Sequence, residues 1–182
     1  MLYQIVSLLL DVAGGLFSGA CLLRLYMQHQ RVPFGNPIGR FVFALTDWLV
    51  LPLRRVLPAV GRWDTASAVA AYLIQVAQYL LLWLALGGGL GLGTVPVIAV
   101  FGLLRLVITA LMALVIIAAI LSWVRADSPI ADLIERLCAP LLRPFRRVIP
   151  LVGGVDLSPL ALLLLLQVAS IVLASIQGSV LR

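Results

Sequence analysis

Read for hydrophobicity alone, the chain alternates between four long apolar stretches and two shorter segments whose apolar positions recur at helical spacing. The first stretch, residues 2–23, is interrupted only by Gln4, Ser7, Asp11 and Ser18, and is long enough for a bilayer core that needs about 20 residues. The second covers 65–86, with Asp64 or Thr65 as its cap. The third, 95–124, exceeds one perpendicular crossing, and Arg105 divides it. Its spanning part is expected at 106–124, after a turn or two at the interface. The last is expected at 159–177, opened by Asp156-Leu157-Ser158-Pro159.

The two shorter segments read as amphipathic helices, too short and too polar on one side to span. Ile38, Phe41, Val42, Leu45, Trp48 and Leu49 share one face over 37–51, with Asn36 as N-cap and Pro37 at the first helical position. Pro52 is expected to stop that helix. Ile130, Leu133, Ile134, Leu137 and Leu141 do the same over 129–142 behind Ser128 and Pro129, with Asp132, Glu135 and Arg136 opposite. Pro140 and Pro144 are expected to end it.

The pattern occurs twice because the sequence does. Residues 52–58 read P-L-R-R-V-L-P and residues 144–150 read P-F-R-R-V-I-P, at an ungapped offset of 92. Pro37 pairs with Pro129, Leu45 with Leu137, Gly61 with Gly153, Asp64 with Asp156 and Gln75 with Gln167. Residues 1–90 therefore form repeat 1 and residues 91–182 form repeat 2, joined by a connector with five glycines in residues 87–93. The fold class is an all-α membrane protein with four transmembrane helices. Each repeat crosses twice, so the copies run parallel.

Composition agrees: 63% apolar and 11% charged residues, with a mean hydropathy of +1.17, against about 45–50% and about 25% in soluble proteins. The net charge of +6 rests on thirteen arginines and no lysine. In so apolar a chain it orients spans, and nucleic acid is not an expected partner. Arg24, Arg31, Arg40, Arg54, Arg55 and Arg62 lie between the first two spans, and Arg125, Arg136, Arg143, Arg146 and Arg147 between the last two. By the positive-inside rule both segments are cytoplasmic and both termini lie outside, in a bacterial inner membrane. Tyr3, Trp63, Trp83 and Trp123 fit interfacial belts. Cys21 and Cys138 have no metal or redox spacing and read as inert apolar residues.

No catalytic constellation is visible, and the reading is of a protein that is not an enzyme and takes no cofactor or metal. Polar residues inside the membrane are the stronger signal, because each is costly unless paired. Asp11 and Arg105 fall at similar depth, two residues apart in repeat coordinates, and are expected to form an ion pair. Gln75 and Gln167 are repeat mates placed to bond across the pseudo-twofold axis. Gly15 and Gly19, with Ser18, offer a face for close helix approach. Arg54, Arg55, Arg143, Arg146 and Arg147 are candidates for binding anionic headgroups or a partner, set against a purely topogenic role.

Asn36-Pro37, the two Pro-Arg-Arg motifs, Ser122-Trp123-Val124, Ser128-Pro129, Pro140 through Pro150 and Gly153 through Pro159 resemble the YggT (YlmG) family in its two-repeat proteobacterial form. That resemblance implies no established enzymatic activity. It implies links with division, nucleoid or plastid organisation, with assembly of membrane cytochromes in plastids, and with osmotic tolerance and ion uptake. The expected role is a scaffold or assembly factor whose partners are anionic membrane lipids, a membrane protein and a second copy of the chain. The alternative is a small channel or transporter subunit.

Overall fold

A computed structural model describes residues 2–85, 91–124, 128–149 and 156–180. Most of the glycine connector, Arg125, Gly153 and the side chains of Tyr3 and Trp123 lie outside that set. The described residues form six helices and no strands: α1 (Leu2–His29), α2 (Pro37–Val56), α3 (Thr65–Ala85), α4 (Thr94–Val124), α5 (Pro129–Val148) and α6 (Ser158–Val180). Four are long and apolar enough to cross a membrane, over Gln4–His29, Thr65–Ala85, Thr94–Ser122 and Ser158–Val180. The other two, α2 and α5, cover the segments read from the sequence as amphipathic.

Both amphipathic helices start as their sequences dictate. The Asn36 side chain accepts from Gly39 N at 2.8 Å, Ser128 Oγ accepts from Ala131 N at 3.1 Å, and a proline follows each cap. Their ends differ from expectation. α2 runs through Pro52 to Val56, and α5 runs through Pro140 and Pro144 to Val148. An internal proline removes one N–H and crowds one preceding carbonyl, and both helices continue past that loss. The stops are Leu57 (φ −115°, ψ 90°) and Ile149 (φ −101°, ψ 111°), both extended. Each precedes a proline, Pro58 or Pro150, whose ring disfavours helical backbone at the preceding residue. The Arg-Arg pairs therefore belong to the last helical turns and do not follow them.

α4 is one uninterrupted helix of 31 residues from Thr94 to Val124, with Arg105 inside it. At 1.5 Å per residue it is about 46 Å long, well beyond a hydrocarbon core of about 30 Å.

The chain divides into two compact units: residues up to Val107 with the end of α6 from Gln177, and Ile108–Ile176. In the first, α1 packs along α3 and α2 lies against both. Gly14, Ser18, Cys21 and Arg24 form one buried stripe of α1 at steps of four, three and three. α3 answers with Ser67, Ala71, Gln75 and Gln78, and Cys21, Val50, Ala66, Ala70 and Ala71 make the core between them. Small residues let the helices approach closely, which substitutes for hydrophobic driving force inside lipid. The closest approach uses Gly14, where a Cβ would collide with the Gln78 side chain. Gly15 and Gly19, the expected close face, have nothing near their Cβ positions. The second unit is cored by Val115, Ile134, Cys138, Leu142 and Leu162.

Candidate functional site

Two polar assemblies share the α1–α3 seam of the first repeat. One sits at the α1–α2–α3 corner, centred on Arg24, which is 2% exposed. Its Nη1 donates to Thr46 Oγ1 and to Asp47 Oδ1, both at 2.7 Å. Its guanidinium carbon lies 4.7 Å from the Phe43 ring centroid, and Phe43 stacks on Phe34 at 4.7 Å. Thr46 relays the order inward by donating to Val42 O at 2.7 Å. Arg24 Nε is 3.9 Å from Asp64 Oδ2, too far for a hydrogen bond, and has no other partner among the described residues.

Asp64 stands at the start of α3 with a side chain only 1% exposed. Arg54 Nη2 donates to its Oδ2 at 2.5 Å and Arg54 Nε to its Oδ1 at 3.4 Å, while Ser67 Oγ donates to Oδ2 at 2.6 Å. Arg54 also reaches Gln28 Oε1 at 3.0 Å. Burial alone would raise the Asp64 carboxyl; the Arg54 and Ser67 hydrogen bonds outweigh it and hold the group below its ordinary value of 3.8. Arg24, Arg54, Asp47 and Asp64 thus form a charge-neutral network, the condition under which buried charges are tolerated. Beside it, Gly61 (φ 62°) turns the chain, Val60 and Trp63 bridge across that turn, and the His29 ring lies 4.5 Å from Trp63.

The Arg54–Asp64 contact is duplicated. Arg146 Nε donates to Asp156 Oδ2 at 2.8 Å, and both partners are offset by 92 from the first pair. Burial raises the Asp156 carboxyl as well, but Ser158, whose N–H donates at 2.9 Å, and Arg146 bring it below 3.8. The first arginine of each Arg-Arg pair is therefore a clasp from the end of an amphipathic helix to the start of the next span. The second arginines, Arg55 and Arg147, are exposed, as is Arg143. Cys138 is sealed in the second core with Sγ 3.5 Å from Leu114 O, and burial pushes its thiol up to about 11, which removes it from nucleophilic chemistry.

The second assembly lies deeper. Gln78 Nε2 donates to Asp11 Oδ1 at 2.7 Å, Gln75 Nε2 donates to Gln78 Oε1 at 3.3 Å and to Ser18 Oγ at 3.4 Å, and Ser18 Oγ donates to Ala71 O at 3.2 Å. Arg105 donates to Gln177 Oε1 at 2.9 Å. Asp11 and Arg105, read from sequence as a pair, thus each meet a glutamine amide. Gln75 is buried and bonded inside its own repeat, whereas Gln167 is exposed. Sequence reasoning passed over Arg24, Asp47 and Gln78, and took Asp64 only as a cap. The available signal was the recurrence of Asp11, Ser18, Arg24 and Gln28 on one side of an otherwise apolar helix.

The family described as CCB3/YggT matches the chain twice, over residues 3–85 and 97–177. The Escherichia coli protein named "Uncharacterized protein YggT" is 36% identical over 175 residues, covering 94% of this chain and 90% of that one. An uncharacterised protein of Vibrio alginolyticus is 36% identical over 182 residues, 96% of each. One from Pseudomonas aeruginosa is 37% identical over 164 residues, 87% of this chain and 83% of its own. No solved structure matches.

Proposed function

Because the chain belongs to the CCB3/YggT family, we propose that it is a non-enzymatic scaffold of the bacterial inner membrane, which assembles or positions other membrane components. The observation that carries this reading is the duplicated clasp. Arg54–Asp64 and Arg146–Asp156 fix α2 and α5 to the following spans in the same way and leave Arg55 and Arg147 outward. Charge is invested in holding a surface still. α2 and α5 each follow one candidate span and precede the next, which supports a reading with both on the same side of the membrane. The eleven of thirteen arginines that lie in the two connecting segments support, by the positive-inside rule, a cytoplasmic side for both and outer termini.

A conduit is the rival reading, supported by the polar seam of Asp11, Gln78, Gln75 and Ser18. These groups bond to one another, which favours helix packing over passage. The discriminating experiment is complementation of a deletion strain, together with ion flux in liposomes. Glutamine at Arg55 and Arg147 should abolish complementation while the protein still inserts. Asp11→Asn and Gln75→Leu should complement, and flux should stay at background. The reverse pattern makes the protein a conduit. Cysteines introduced at Gly35 and Gly178 should label from the inside and the outside respectively.

A further inference from the structure

Helix α2 carries two apolar faces, and the protein covers only one of them. Gly39, Val42, Thr46 and Val50 are buried where α2 lies against α1 and α3. On the opposite side Phe41, Ala44, Trp48 and Leu51 recur at steps of three, four and three and are all exposed, Trp48 by 62%. With 3.6 residues per turn these four fall within an arc of about 80°. At the offset of 92 the last three become Arg136, Pro140 and Arg143, which are exposed as well. One arc is thus apolar on α2 and cationic on α5, so exposure means different surroundings on the two helices. Two contacts of Trp48 identify those surroundings. Its ring meets Phe17 of α1 edge to face, with centroids 6.2 Å apart. Phe17 belongs to the candidate span Gln4–His29 and stands six residues inside Leu23, where the apolar run ends, a depth of about 9 Å along the helix axis. The indole Nε1 donates to Leu45 O at 2.8 Å within α2 itself. The one polar atom of the side chain therefore needs neither water nor a headgroup, the condition for a tryptophan to sit among acyl chains. Next to Phe17, Ala13 and Leu16 are exposed on the same span, so the stripe continues the outer surface of a membrane-crossing helix.

We propose that α2 is sunk into the acyl chains of one leaflet along Phe41, Ala44, Trp48 and Leu51, while the matching arc of α5 stays in the polar region. The occupant of the outer face of α2 is hydrocarbon, on the same terms as the exposed side of α1. Arg55 continues that face one turn past Leu51, with its apolar stem along lipid and its guanidinium at the headgroups. Asp47, at the flank of the stripe, is held by Arg24. α2 therefore adds area to a single leaflet and α5 does not, which gives the two repeats different lipid contacts from homologous helices. This is independent of the scaffold reading and of which side of the membrane α2 occupies.

The test is quenching of a single tryptophan in the full chain reconstituted into phosphatidylcholine vesicles, with Trp63→Phe, Trp83→Phe and Trp123→Phe leaving Trp48 alone. Phosphatidylcholine brominated in mid-chain should lower Trp48 emission about twofold or more, and acrylamide present on both sides of the membrane should change it little, as for a ring seated below the headgroups. Adding Trp48→Phe and Pro140→Trp moves the reporter to the matching position of α5, where acrylamide should quench and bromine should not. Strong acrylamide quenching at Trp48 puts the stripe in water and overturns the proposal. Quenching by neither agent also overturns it, because a second copy or another protein then covers the face. Equal bromine quenching at the two positions removes the difference between the repeats and overturns it too. If the multiple variant does not insert, Leu51→Cys carrying a nitroxide in the otherwise unaltered chain gives the same reading, since Cys21 and Cys138 are buried. Oxygen should then relax the label more than a water-soluble nickel chelate does, and the reverse order counts against the proposal.

Discussion

The corner where α1, α2 and α3 meet in the first repeat is held by ions, and the corresponding region of the second repeat is held by hydrocarbon. Arg24, Thr46 and Asp47 correspond to Ile116, Cys138 and Ala139. The second copy buries Cys138 among Val115, Ile134, Leu142 and Leu162 where the first threads a guanidinium between helices. Among the described residues, only the outer contact, arginine to aspartate across ten residues, is common to both. The shared element is thus what the repeat requires for its geometry. The extra network of the first copy raises the cost of error, because a buried ion pair that loses one partner is far worse than one never built.

That asymmetry can be broken directly. Arg24→Leu strips charged hydrogen bonds from Thr46 and from Asp47, which is itself 41% exposed, and should cost about 1.5–3 kcal/mol, whereas Ile116→Ala, at a half-exposed position of the second copy, should cost less than about 1.5 kcal/mol. Transplanting the second-copy residues as R24I/T46C/D47A should recover most of the loss. Unfolding by steric trapping in bicelles measures all three, and a triple variant no better than Arg24→Leu would show that the apolar solution does not fit the first corner.

The clasps give the next largest contrast. Arg54→Ala strips a charged hydrogen bond from a nearly inaccessible carboxylate and should cost about 1.5–3 kcal/mol. Arg146→Ala faces a carboxylate 28% exposed and should cost less than about 1 kcal/mol. Equal losses in the same assay would mean that burial of the partner does not set the strength.

Gly14→Ala forces Gln78 to move and should cost about 1 kcal/mol, an overpacking penalty partly offset by better helix propensity. Gly15→Ala should be neutral or slightly stabilising. The second copy has Leu106 and Ser170 at the positions of Gly14 and Gln78, so no equivalent glycine effect is expected there.

The smallest effect is acid sensitivity. Asp64 and Asp156 have folded values below 3.8, so their contribution is complete above that pH and is lost as pH falls through the depressed values. Thermal melts in detergent should therefore be flat with respect to these groups from pH 8 to 5 and decline below pH 4. Arg146→Ala should remove only part of the Asp156 share of that decline, because the Ser158 hydrogen bonds still hold that carboxyl down.

Spans, caps and the repeat were legible in the sequence, since apolar runs, Asn-Pro and Ser-Pro starts and an ungapped offset are local signals. Helix ends were less so. Pro52, Pro140 and Pro144 carry the ring that stops helices, yet α2 and α5 run through them to Val56 and Val148; proline disfavours helix at its own and the preceding position without forbidding it, so the sequence does not say which proline ends a helix. The corner was illegible because its members are spread over α1, α2 and the start of α3, and Arg24 reads as one more topogenic charge. Asp11 and Arg105 matched in depth, but depth along parallel helices fixes only one coordinate. Which faces meet depends on rotation, and Gly14, not Gly15 or Gly19, set it.

The clasp also has a timetable. Arg54 and Asp64 are ten residues apart, whereas Ser18 reaches Ala71 across 53 and Asp11 reaches Gln78 across 67. Loop closure over ten residues takes nanoseconds, and synthesis adds only about 5–20 residues per second. Each corner can therefore lock as soon as its aspartate leaves the ribosome. Asp11 must wait seconds for its amide, with α1 already made. During that interval the polar face of α1 is the part of the nascent chain most in need of an insertase or a lipid headgroup.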